Sequence, residues 1–477
     1  MKNLIIGFIA VLICSVAHAE SLSGSRPNVV FFLGDDQSLF DHSAYGSTKA
    51  PTPTTDVFAD QALVFDRAFT GQAICAPSRS MLYTGLYPIR NGCFINHTEI
   101  RKGVETLPSY LGKLGYDVVL AGKSHVGPQD QFQWSQWFMP VEVEGKPRPG
   151  IPLGKMDAYM ASADEPFCML VTSEYPHSPY FKETPFGPED VDLPAFVKDT
   201  EPRRKHVARY YASIAEKERE FAAVLEMLEK HGLAENTIVF YSDDHGTARG
   251  KFTVYDSGLN VAFMVRWPGK IQAGRTDALT SYADFVPTVL DLAGGDAPSD
   301  LDGNSLLPLF EGKSGENHDY VYGVAHSQGI QEREVFPQRT VHDGRYHYIY
   351  SFNSLERVER EQAAGRPVNY FLERGARKYK SRPEEELYDT LADPHELKNL
   401  ASDERFASVK ARLKKEMFSW MKNQNDYLSE GDWAKFLKVR RHELDIQDPK
   451  YNYKIPEGQV GSLKGKKLDP YKITEPK

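Results

Sequence analysis

A formal net charge of −9 over 477 residues excludes a general affinity for nucleic acid or an anionic membrane surface, so attraction to any anionic ligand must be local. The four cysteines, Cys14, Cys75, Cys93 and Cys168, are too few and too scattered for a disulfide framework or a zinc cluster. The length suits two or three domains of about 150 residues, or one larger α/β sheet.

Residues 1–19 read as a secretory signal peptide, with Lys2, an apolar stretch from Leu4 to Val16 and the small-residue ending Ala17-His18-Ala19. That stretch is shorter than the ~20 residues of a membrane span, and no later run is long and apolar enough to supply one. The expectation is cleavage near Ala19/Glu20 and a periplasmic or secreted protein without a membrane anchor. Asn28 to Leu33, NVVFFL, is a continuous apolar run ending in GDDQ, a strand buried on both faces with carboxylates at its C-terminal end.

Next come a helix around Thr55–Gln61, a strand Ala62–Phe69, a helix from Cys75, a helix Leu107–Leu114 and a strand Asp117–Ala121. The Pro- and Gly-rich segment Trp134–Gly154 reads as a long loop. Then follow a strand Phe167–Thr172, a helix Lys205–His231, strands Thr237–Ser242 and Val261–Arg266, and a helix Tyr282–Ala293. Strands alternating with helices predict an α/β fold, a mostly parallel sheet covered by helices on both faces. From about Tyr320 the pattern changes to a smaller antiparallel sheet with Asp343-Gly344 as a hairpin turn, closed by an amphipathic helix Asp403–Met421. The divisions expected are residues 20–318 for the N-terminal α/β domain, 319–430 for the C-terminal subdomain and 431–477 for a basic extension.

Ligands of open α/β sheets bind beyond the carboxyl ends of the strands. The first strand delivers Asp35 and Asp36 there, DVVLAGKSH delivers Lys123 and His125, FCMLVTSEYPH delivers His177, and TIVFYSDDHG delivers Asp243, Asp244 and His245, with Lys251 shortly after. An isolated Asp-Asp most often caps a turn or a helix. The same device on two strand ends makes a repulsive cluster that a cation would relieve, and oxygen-rich ligation suits Ca²⁺ or Mg²⁺ better than zinc. Such a cation with Lys123, His125, His177 and Lys251 around it could hold a tetrahedral oxyanion and neutralise a leaving group.

The run Cys75-x-Pro77-Ser78-Arg79, followed by Thr84-Gly85, resembles the modification signature of the type I sulfatases, in which the cysteine is oxidised to formylglycine (3-oxoalanine). GDDQ, AGKSHVG, His177 and DDHG match in the same chain order. The segments GKSHVGP, PQRTVHDGRYHYIYSFN and EELYDTLADPHELKNLASDERF are similar to stretches of the heparan N-sulfatases within that family.

The resemblance implies an alkaline-phosphatase-like fold, one Ca²⁺ held by Asp35, Asp36, Asp244, His245 and residue 75, and Asp243 just behind those ligands. It also implies a maturation enzyme that forms formylglycine from Cys75. Formylglycine would then attack sulfur, with Arg79 and Lys123 positioning it, His125 assisting sulfate expulsion, Lys251 binding a sulfate oxygen and His177 as general acid. Ala76 stands where Thr or Ser is commonest in the signature, and His245 where many members have Asn.

The expected activity is hydrolysis of O-sulfate esters or N-sulfates of sulfated oligosaccharides, with Asn96, His97, Glu99, His326, Gln328 and Arg339 as candidate sugar contacts. Two alternatives are a phosphatase or phosphodiesterase on a similar fold, which generally needs a Ser or Thr nucleophile and a second metal, and a glycan-binding protein whose Cys75 is never matured.

Overall fold

The computed structural model describes residues 21–247, 250–327, 335–373, 376 and 382–429. The expected signal peptide, Gln328 and the basic extension lie outside the described residues.

Fourteen strands are described: β1 (Asn28–Asp35), β2 (Leu63–Phe65), β3 (Ala68–Phe69), β4 (Asp117–Gly122), β5 (Gln136–Phe138), β6 (Phe167–Pro176), β7 (Thr237–Asp243), β8 (Phe263–Arg266), β9 (Gly274–Thr276), β10 (Thr280–Ser281), β11 (Val321–Ser327), β12 (Val335–His342), β13 (Tyr346–Ser351) and β14 (Glu385–Asp389). Eight form the main sheet in the order β5-β4-β6-β1-β7-β8-β2-β9. Within it only β8 runs against its neighbours, so the sheet is mixed and mostly parallel.

The unbroken apolar run of β1 has its cause in this position. Every residue from Asn28 to Asp35 is buried, because β6 and β7 flank the strand and helices cover both faces. Phe31 stacks on Phe240 at 5.7 Å and meets the helix Phe285–Leu292 through Phe285 at 4.8 Å. Phe32 points to the opposite face, onto Phe221 of the helix Glu201–Lys230 at 4.9 Å. Each buried Phe contributes roughly 1.5–3 kcal/mol by removal of apolar area from water.

Two expectations are corrected. The strand expected over Ala62–Phe69 is two strands: β2 joins the main sheet, whereas β3 pairs with β10 in a sheet of its own. The segment expected as a loop, Trp134–Gly154, contains the edge strand β5 and a bridge between Val141 and Gly150.

The C-terminal strands form a separate antiparallel sheet, β11-β12-β13-β14. Its hairpin turns at Gly344, whose φ of +90° is glycine territory, and Asp343 Oδ1 accepts the backbone N–H groups of Arg345 and Tyr346. The helix Ala407–Asn423 covers it, burying Leu413, Met417, Trp420 and Met421, with Trp420 stacked on Tyr322 at 4.5 Å. Cys75, Cys93 and Cys168 are buried.

Glu220 ties the long helix to the sheet by accepting hydrogen bonds from Ser173 Oγ and the Ile151 backbone N–H. Burial pushes its carboxyl up from 4.5 to about 7. Between those values the native state binds the proton that the unfolded state has released. Stability is therefore full below pH 4.5 and falls as pH rises through about 7. Glu220→Gln should flatten that dependence, sparing on the order of 3 kcal/mol at pH 8, as urea denaturation of both proteins from pH 5 to 8 would show.

Candidate active site at the strand ends

β1, β4, β6 and β7 end on the same edge of the sheet, and the helix Cys75–Thr84 starts against that edge. The structure thus gathers residues spread over nearly half of the chain, from Asp35 to Lys251. Cys75 Sγ lies 3.6 Å from Asp35 Oδ1 and 3.4 Å from His245 Nε2. His245 Nε2 lies 3.1 Å from Asp36 Oδ1 and 3.6 Å from Asp244 Oδ1. One donor atom from each of Asp35, Asp36, Cys75 and His245 lies within 4.8 Å of the others, all four residues being buried.

Three carboxylates this close repel unless cations sit among them. Arg79 is wholly buried, with both Nε and Nη2 3.1 Å from Asp244 Oδ2. Lys123 pairs with Asp35, and Lys251 donates to both oxygens of Asp36 at 2.8 and 2.6 Å. Burial pushes the Asp35 carboxyl up, but Lys123 and Arg79 overcome it and hold it well below the usual carboxylate range. Burial raises Asp244. It also drives the Cys75 thiol well above its ordinary value, with Lys123 opposing the rise and the carboxylates of Asp35, Asp244 and Asp36 adding to it.

Two histidines complete the edge. His177 Nδ1 lies 2.6 Å from the Ser178 carbonyl, a contact that requires Nδ1–H, and Nε2 faces Asp36 Oδ2 at 3.6 Å. His125 Nε2 shares a 2.8 Å hydrogen bond with Nδ1 of the exposed His97. Burial, Lys123 and His97 hold His125 well below the ordinary imidazole value, so it is neutral at pH 7.

Asn96 Oδ1 accepts the Ala76 backbone N–H at 3.2 Å, which places Asn96 beside the helix start, and Glu99 packs against Gly127 just beyond His125. His326 and Arg339 are different. His326 is buried and hydrogen-bonded to Tyr427. Arg339 is fully buried, donating through Nη2 to Asp426 Oδ1 at 3.0 Å and through Nη1 to the carbonyls of Ala325 and Gln338. Both are held by partners in the C-terminal part of the chain, Tyr427 for His326 and Asp426 for Arg339.

Sequence reasoning missed Lys217 and His42. Both are buried, and both bind Asp243, Lys217 Nζ at 2.7 Å from Oδ1 and His42 Nε2 at 2.9 Å from Oδ2. Lys217 shares the buried stripe of its helix with Ile214, Phe221, Val224 and Leu228. A lysine on an apolar stripe was the available signal, because a buried ammonium needs a carboxylate.

A sulfatase family model matches residues 27–295. The chain belongs to the sulfatase family. As a type I sulfatase it is a hydrolase of sulfate esters or sulfamates, and the likeness to heparan N-sulfatase recurs in a match of residues 244–367 to the C-terminal model of N-sulphoglucosamine sulphohydrolase. The sulfatase is 46% identical over 458 residues to an ulvan-active sulfatase of Formosa agariphila, covering 94% of this chain and 91% of that one. It is 26% identical over 476 residues to human N-sulphoglucosamine sulphohydrolase, covering 87% and 93%. Its fold matches the structure of a 2-O GAG sulfatase with a TM-score of 0.69, at 24% identity over 84% of this chain and 93% of that one. Among the described residues, no helix of the sulfatase is long and apolar enough to cross a membrane.

Proposed function

We propose that this sulfatase is exported and removes sulfate groups from oligosaccharides of a sulfated polysaccharide, with residue 75 matured to formylglycine and one Ca²⁺ beside it. The observation that carries the reading is the seat of Cys75, within 3.6 Å of Asp35 and 3.4 Å of His245 in a ring of carboxylates countered by Arg79, Lys123 and Lys251. The donor set fits a hard divalent cation: Asp35, Asp36 and Asp244 offer oxygens, and His245 and residue 75 complete it. The ion would supply positive charge beside the transferred group, and the hydrated aldehyde would supply two hydroxyls, one to take the sulfuryl group and one to expel sulfate.

The remaining side chains have roles that follow from their partners. Arg79 fixes Asp244 through two nitrogens. Lys123, on Asp35, and Lys251, on Asp36, bring ammonium groups to the cluster and serve the sulfate oxygens. Neutral His125 accepts the proton of the hydroxyl that expels sulfate, and the exposed His97 offers that proton a path to solvent. His177 Nε2 protonates the leaving group. Asn96, His97 and Glu99 form the sugar-facing rim.

Ulvan-derived oligosaccharides are the leading substrate, on the strength of the 46% identical relative; N-sulphoglucosamine is the competitor, on the strength of the C-terminal match. The test starts with the mass of the peptide containing residue 75, from protein made beside a formylglycine-generating enzyme. Sulfate release from ulvan oligosaccharides and from N-sulphoglucosamine is then compared. Chelator should abolish release from the preferred substrate, and Ca²⁺ should restore it. An unmodified cysteine under conditions that mature a control sulfatase would sink the reading and leave the glycan-binding one.

A further inference from the structure

A second group of metal-ligating side chains lies at the junction of the C-terminal sheet with the short helix Asp256–Leu259. His347, on β13, places Nδ1 2.6 Å from Glu396 Oε1 and 3.2 Å from Asp256 Oδ1. All three residues are more than nine-tenths buried. One ring nitrogen carries at most one proton and can serve only one of the two oxygens. Asp256 Oδ1 is left without a hydrogen bond, which a buried carboxylate oxygen rarely tolerates.

The neighbouring His342 does not relieve this. Its Nδ1 accepts the Gly344 backbone N–H at 2.8 Å, so that nitrogen bears no proton and the ring is neutral. Its Nε2 faces Thr390 Oγ1 at 3.1 Å and Asp256 Oδ2 at 3.5 Å. Two carboxylates and at most one imidazolium leave these four side chains one positive charge short unless a proton or a cation joins them.

We propose that Asp256, His347 and Glu396 bind a divalent transition metal of the zinc class, at a site separate from the cluster around Cys75. The three donor atoms lie within 4.8 Å of one another, so one ion can touch all of them and give Asp256 Oδ1 its missing partner. One imidazole nitrogen with two carboxylate oxygens is a zinc-type set, poorer in oxygen than Ca²⁺ prefers. A cavity of about 520 Å³, lined in part by Glu396, Tyr255, Glu386 and Arg382, opens beside the site and provides an entry path and space for a water ligand. The ion would join three separate pieces of chain: β13, the turn bearing Glu396, and the segment that carries Lys251 into the strand-end cluster.

The test is Zn²⁺ uptake by the full chain, stripped with chelator and returned to excess Ca²⁺ so that the oxygen-rich cluster is filled. One Zn²⁺ per chain is expected in the wild type, and Glu396→Gln and His347→Gln should each weaken its binding by about tenfold or more. Co²⁺ in place of Zn²⁺ should give visible ligand-field bands that Asp36→Asn retains. No uptake by the wild type, or equal uptake in both variants, overturns the proposal. Should neither variant fold, wild-type Co²⁺ bands decide it: their absence means that the site holds a proton and no metal.

Discussion

Cys75→Ala should abolish sulfate release, lowering kcat/KM by roughly 10⁴-fold or more, while thermal unfolding stays close to that of the wild type. The side chain is small and opens a helix, where alanine fits as well, so the fold loses little. The chemistry loses its nucleophile. Burial and the carboxylates of Asp35, Asp244 and Asp36 keep the parent thiol protonated at neutral pH, and a protonated thiol is a poor nucleophile. Wild-type protein made without a maturation enzyme should therefore be as inactive as Cys75→Ala. Sulfate release by chains whose residue 75 is shown by mass to be unmodified would place the nucleophile elsewhere.

Lys217→Met should cost about 3–5 kcal/mol, the penalty for leaving a buried carboxylate without its cation. Lys217 is wholly buried, 2.7 Å from Asp243 Oδ1, and lies over the Tyr241 ring at 5.0 Å. Burial pushes the Asp243 carboxyl up, but Lys217 and His42 outweigh it and hold Asp243 below its ordinary 3.8. Its contribution to stability is therefore present above that value and lost as pH falls through the lowered one. Without Lys217, burial acts with less opposition and acid unfolding should begin at a higher pH.

Activity should fall as well, because Asp243 precedes Asp244 in a space with no slack. A Cβ added at Gly34 would meet Asp243 Oδ1 at 2.0 Å, and the Asp36 N–H reaches Asp244 Oδ1 at 3.1 Å. Urea denaturation at pH 7 measures the loss, and the double variant Lys217→Met/Asp243→Asn should recover much of it. A loss below about 1 kcal/mol in the single variant would show that the pair is not the support it is taken to be.

The legible parts of the chain were those whose signal is local. NVVFFL announced a doubly buried strand, and the carboxylates after it marked a strand end. The long helix was visible from its stripe around Tyr211–Leu228, yet it begins four residues before the expected Lys205, at Glu201, capped by the Thr200 side chain. Its first turns are polar and carry no apolar period to read. The break between β2 and β3 was hidden because both halves are apolar, and only the partners, β8 and β9 for one and β10 for the other, separate them. That Arg339 meets Asp426 was hidden because an arginine on a strand carries no mark of its partner in the sequence.

By itself, then, the sequence determined the alternation of elements, the chemical types at each strand end and the signature around Cys75, since periodicity and motif spacing are written in neighbouring residues. The tertiary structure alone decided that Asp35, Cys75, Lys123, His177, Asp244 and Lys251 meet at one edge. It also decided which buried charges answer each other, Lys217 with Asp243 and His347 with Glu396. Those partners lie 26 and 49 residues apart along the chain, and the pairing comes from burial, which leaves a charge no alternative to whichever opposite group the packing delivers.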